Sequence, residues 1–147
     1  MIEREALRDI YSRIIRGNEI EEQTLEEWRE RQLVPEPILQ QLVQGAEMAT
    51  KGKEVTRQIG THRAHVAKVE KNQERLRHNI KSMEKVQNTE LVDRYLKDLN
   101  NQEDDLIATN SIVEQLTDEQ ADLEASLRQL TARTSSETKK LLEAIDA

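Results

Sequence analysis

The chain has 147 residues, 35% of them charged, a net charge of -7, one Trp, two Tyr and no Phe. So few aromatics argue against a compact globular core, and Leu, Ile, Val and Met at helical spacing suit a thin seam rather than a pocket enclosing a substrate, which sets enzyme readings aside. The absence of Cys excludes disulfides, thiolate nucleophiles and Cys-based zinc sites, and no apolar run approaches the ~20 residues that cross a bilayer.

Residues 1–35 read as two short helices. Ile2, Leu7, Ile10, Tyr11, Ile14 and Ile15 fall on one stripe, and Gly17-Asn18 follows where a left-handed cap ends a helix. Thr24 opens a T-x-x-E capping box closed by Glu27. Leu25 and Trp28 then supply the apolar side of a second helix, expected to end near Val34 because Pro35 follows. Pro37 suits the first turn of a third helix, in which Ile38, Leu39, Leu42, Val43 and Ala46 spread wider than a two-residue seam. A stripe of that width needs more than one neighbour.

Residues 36–134 read as an antiparallel coiled-coil hairpin turning near residues 87–89. One seam runs through Met48, Val55, Ile59, His62, Val66, Val69, Gln73, Leu76, Ile80 and Met83. The other runs through Val92, Tyr95, Leu99, Gln102, Leu106, Thr109, Val113, Leu116, Gln120, Leu123, Leu127 and Leu130. Both step by threes and fours, the signature of a heptad. Folding back at Gln87-Asn88-Thr89 sets Met83 against Val92, Ile80 against Tyr95, Leu76 against Leu99, Gln73 against Gln102, and so on in one constant register to Met48 against Leu127. His62, Gln73, Gln102, Thr109 and Gln120 interrupt the seam, and each would face an apolar residue alone if the register slipped, so they read as registry residues. Gly45 and Gly52 fall on the seam opposite Leu130 and Leu123, which implies close approach, or a bend at Lys51-Gly52-Lys53.

Beyond the seam, Thr134-Ser135-Ser136 is expected to break or recap the helix, leaving 135–147 as a short C-terminal helix carrying Leu141, Leu142 and Ile145. These would join the N-terminal helices in a small bundle at the hairpin's base. The fold class is therefore all-α, a long antiparallel coiled-coil helical hairpin with a small helical bundle. Charge favours the same pairing: residues 36–89 carry ten Lys or Arg against six acids, and residues 90–134 carry four against eleven. Opposite arms bias each toward the other. One flank opposes this, since Glu70 should lie near Glu103 unless Arg77 or Lys71 intervenes.

No motif on these helices carries recognisable chemistry. His62 and His65 are three residues apart, but zinc needs three or four converging ligands, so packing is expected and no metal is assigned. Glu103-Asp104-Asp105 point about 100° apart and read as a solvated face. Arg75, Arg77, Lys81 and Lys85 cluster near the turn, yet Asp93 and Asp98 accompany them and no aromatic ladder is present, so no nucleic acid is expected. No catalytic residue, cofactor or small-molecule substrate is assigned. Val86 and Leu91 flank the turn, and Ile107 and Ile112 lie off the seam. These four are the candidate partner contacts.

Around the turn the chain reads Asn72-Gln73-Glu74-Arg75-Leu76-Arg77-His78-Asn79-Ile80, then Arg94-Tyr95-Leu96, Leu99 and Gln102-Glu103. This resembles the C-terminal helical hairpin region of an uncharacterised bacterial family loosely grouped with mucoidy-inhibitor-like proteins. The resemblance implies derivation from a larger, partly β-rich protein, and it brings no settled activity. The hairpin also gives the motif a structural reading, with Gln73 facing Gln102, Leu76 facing Leu99, Ile80 facing Tyr95 and Asn79 expected near Asp98.

These readings lead to a non-catalytic interaction module or spacer that presents its tip, residues 86–91, or one face to a protein partner. The alternative is a structural homo-oligomer or scaffold, assembled through the base bundle or by antiparallel pairing of extended chains that run straight through the turn. The charged start, Met1-Ile2-Glu3-Arg4-Glu5, is unlike a signal peptide, so a soluble, cytoplasmic chain is expected if it is full length.

Overall fold

Pro35 directly precedes the first long helix, and the Gln87-Asn88 pair divides it from the second. The computed structural model describes residues 3–17 and 19–147. Within them lie four helices and no strand: α1 (Arg4–Ile15), α2 (Glu22–Glu30), α3 (Glu36–Lys85) and α4 (Thr89–Asp146). The expected roles of Ile2 and Asn18 fall outside the described residues. Packing divides the chain into two units, one of Met1–Lys53 with Ala121–Ala147 and one of Glu54–Gln120. The long helices α3 and α4 pack against each other as an all-α hairpin and contribute to both units.

In the first unit, α1 ends as its sequence dictates. Gly17 takes φ +73°, and its N–H reaches the Ile14 carbonyl at 3.0 Å; glycine is the residue with least penalty there. α2 closes in the same way on Gln32 at φ 53°, with the Leu33 N–H donating to the Trp28 carbonyl at 2.9 Å. The second helix thus stops at Glu30 rather than near Val34, which frees Leu33 and Val34 to turn inward and be buried. Its start differs too. Glu21 is the N-cap residue, with no side-chain cap bond, so Thr24 lies inside the helix and its capping box does not form.

The core of this unit is Tyr11, Ile14, Ile20, Leu25, Trp28, Leu33, Val34, Ile38 and Leu39, with Leu42, Leu141, Leu142 and Ile145 packed on it. The wide stripe at the start of α3 thus finds the neighbours its width demanded. Burial raises the Tyr11 hydroxyl pKa, and that hydroxyl donates to the Leu33 carbonyl at 3.4 Å. Arg13 lies 5.9 Å from the Trp28 ring centroid, within cation–π range.

One boundary is corrected here. α4 runs unbroken through Thr134-Ser135-Ser136, so residues 135–147 are not a separate helix. Hydroxyls here are used without disturbing the backbone: Thr134, in the expected break, and Thr138 beyond it donate to carbonyls four residues back, at 2.8 and 2.7 Å. Thr134 is also 2.7 Å from Gln41 Oε1, and Ser135 donates to the Ile15 carbonyl at the end of α1 at 3.0 Å.

In the second unit, every predicted seam residue between Val55 and Leu116 is buried or half-buried, with Val55, Ile59, Val69, Gln73, Leu76, Leu106 and Thr109 the most enclosed. Gln120 Nε2 donates to Thr56 at 2.8 Å and Gln73 Nε2 to Glu103 at 3.1 Å. Both lie one residue from the predicted partner. In the first unit, Thr134 on Gln41, and Leu130 beside Gly45, fall on the same register.

The seam glycines do not mark close approach. A Cβ on Gly45 would sit 3.7 Å from Leu127 and Leu130, ordinary contact, and one on Gly52 or Gly60 would meet nothing within 4 Å. α3 continues helical through all three. Gly52→Ala and Gly60→Ala should therefore each stabilise the protein by about 1 kcal/mol, through helix propensity and a less flexible unfolded chain. Thermal unfolding checks this: each variant should melt roughly 2–4 °C higher, and a lower midpoint would mean that a glycine is needed where no neighbour demands one.

Candidate functional site

The turn is built from caps. Gln87 adopts φ 54°, the left-handed conformation that ends a helix. The Val86 N–H reaches the Met83 carbonyl at 3.2 Å, and the Gln87 N–H reaches that of Glu84, also at 3.2 Å. Asn88 then starts α4: its side-chain oxygen accepts the Leu91 N–H at 3.2 Å and its carbonyl accepts the Val92 N–H at 3.1 Å. An Asn at the N-cap satisfies donors that a helix start otherwise leaves to water. The reversal takes only Val86, Gln87 and Asn88, so the chain does not run straight through.

On this turn Val86 is 66% exposed, the highest value among the large exposed apolar residues. Leu91 is half-buried and lines a shallow groove with Asn88, Glu90, Asp93, Arg94 and Lys97. The turn thus offers one fully presented aliphatic side chain, a second partly withdrawn, and charges of both signs around them. Ile107, at 63%, and Ile112, at 41%, are also exposed but lie elsewhere. They are five residues apart, so they point to opposite flanks of α4, and at 1.5 Å per residue Ile107 is about 27 Å along the helix from Thr89. The four candidate contacts are therefore two at the turn and two separate sites. Leu96, 45% exposed, is a further exposed apolar residue. It shares the stripe of Ile107 eleven residues on, and its place outside the heptad seam was the available sequence signal.

The polar layers are arranged differently from the expected like-with-like pairing. Gln73, 4% exposed, donates to Glu103 instead of meeting Gln102, and the buried Gln102 Oε1 accepts no hydrogen bond from the described residues. A carboxylate is the stronger acceptor, and Gln73 places one of its two amide hydrogens on it. This also eases the Glu70 and Glu103 flank, where Arg77 lines the same groove. His62 is half-buried in the seam as placed. His65 lies 2.9 Å from Asp105, whose other oxygen accepts from Thr109 at 3.1 Å. The His65 hydrogen bond, followed by that of Thr109, holds the Asp105 carboxyl below the usual carboxylate range. Among the described residues no three His, Cys, Asp or Glu are gathered to hold a metal ion, and no helix is long and apolar enough to cross a membrane.

Compared with known protein families, curated proteins and solved structures, the chain matches none.

Proposed function

We propose that this chain is a non-catalytic interaction module whose hairpin turn docks against a protein partner, with Val86 as the inserted side chain and Leu91 beside it. The observation that carries the reading is an aliphatic side chain 66% exposed on a turn whose backbone is held by caps on both sides. A residue so fixed loses little conformational freedom on contact, and avoiding that ordering cost is what a preorganised tip contributes to affinity. Glu90, Asp93, Arg94 and Lys97 around it suit the polar rim of an interface.

Val86→Ala with Leu91→Ala should weaken the partner complex at least tenfold, since burying two such side chains is worth roughly 1.5–3 kcal/mol each. The measurement is quantitative affinity capture by the intact chain and by the double variant, followed by titration of whatever the intact chain retains. Val86→Ala alone should shift the urea midpoint little because Val86 is already in solvent, so its weaker binding is separable from any loss of fold. If every interaction survives the double substitution, the turn is not the docking site. The exposure of Ile107 and Ile112 supports a second reading, a structural homo-oligomer, and a mass that rises with concentration in sedimentation would favour it.

A further inference from the structure

The first unit contains a cavity of about 220 Å³ that heptad spacing gives no reason to expect. Ile14, Ile20, Leu42, Leu127 and Leu130 form its apolar wall, and Gly45, Ala46 and Ala49 leave its α3 side without bulk. No aromatic residue lines it. At about 30 Å³ for a water-sized group, the space holds about seven such groups.

Its polar end is built from buried residues. Gln41, 8% exposed, and Thr134, 5% exposed, both line the cavity. Gln41 Nε2 donates to Glu137 at 2.7 Å, its one donated bond among the described residues, and Gln41 Oε1 lies 2.7 Å from Thr134 Oγ1. A side-chain amide has two hydrogens and a hydroxyl two lone pairs, so one N–H of Gln41 and the acceptor side of Thr134 remain to be used. Glu19 and Lys53, also in the lining, pair with each other at 3.7 Å and so offer no uncompensated charge.

We propose that this cavity binds a short, uncharged aliphatic alcohol, its hydroxyl accepting from Gln41 Nε2 and donating to Thr134 Oγ1 while its chain lies along the aliphatic wall. The site is independent of the docking turn. An ionic head group would have to compete with the Glu19–Lys53 pair.

The test is calorimetric titration of the full chain with n-butanol, n-hexanol, n-octanol and n-decanol. Affinity should rise about fourfold per methylene, the factor for burying one CH₂, and stop rising near the length that fills the cavity. Ala49→Leu, which fills it from α3, should abolish n-hexanol binding. Should that variant lose its helical circular dichroism, Gly45→Ala replaces it: its methyl would sit 3.7 Å from Leu127 and Leu130, and it should move the cut-off to a shorter chain. Gln41→Met should weaken n-hexanol about tenfold, the effect of one hydrogen bond, and leave hexane unchanged. An affinity that keeps climbing through n-decanol, or is the same in the filled variants, would overturn the site.

Discussion

Leu39→Ala is expected to destabilise the protein by about 2–5 kcal/mol, the range for a fully buried leucine whose surroundings cannot close over the space. Leu39 is 1% exposed. It belongs to the core in which Tyr11, Ile14, Leu25, Trp28 and Ile38 from three helices meet, so the vacated volume is bounded by elements that cannot all move inward together. Single domains unfold with roughly 5–15 kcal/mol to spare, so the loss is a large part of the total. The urea midpoint should fall with an unchanged slope, as it does when stability alone changes. Leu96→Ala is the control: 45% exposed, it should stay within about 0.5 kcal/mol. A Leu39→Ala midpoint as little changed as that of the control would mean that the α1 and α2 bundle does not contribute to the measured transition.

The hairpin was legible in the sequence because a heptad is a local rule with a long-range consequence. Steps of three and four put Val55, Ile59, Val69, Leu76 and Leu106 on one side of each helix, and those residues are the buried ones. Gly17 was legible for a similar reason, since a positive φ has few tenants. What escaped were features decided by competition between side chains. The hydroxyls of Thr134 and Ser135 look like helix breakers in sequence, but one faces Gln41 and the other the end of α1. Thr24 fits a capping box, yet the helix gains another turn by starting at Glu22. Gln87 and Gln32 hold left-handed positions that a glycine rule passes over. At the candidate site, the position of Val86 beside the turn was legible, while the Asn88 cap that fixes the turn was not identified. The cavity was invisible to pattern reading, because a void is set by what Gly45, Ala46 and Ala49 leave unfilled and not by any period.

Gln102→Leu should stabilise the second unit by about 1–3 kcal/mol, the usual penalty for a buried polar atom without a partner. Its Oε1 is such an atom. Gln73 reads differently despite occupying the facing seam position, since its amide already donates to Glu103; Gln73→Leu should gain less, because it gives up a hydrogen bond as it buries methyls. The comparison separates two explanations of a polar layer in an apolar seam. If Gln102→Leu raises the urea midpoint and Gln73→Leu does not, the two glutamines are unequal, one satisfied and one retained at a cost. If Gln102→Leu lowers it, the amide finds a bond in solution that the Gln73–Glu103 contact does not leave it. A cost that is retained needs a return, and register supplies one: a shifted hairpin would bury each glutamine against an aliphatic residue and part Gln73 from Glu103, so the loss falls more heavily on the wrong pairings than on the native one.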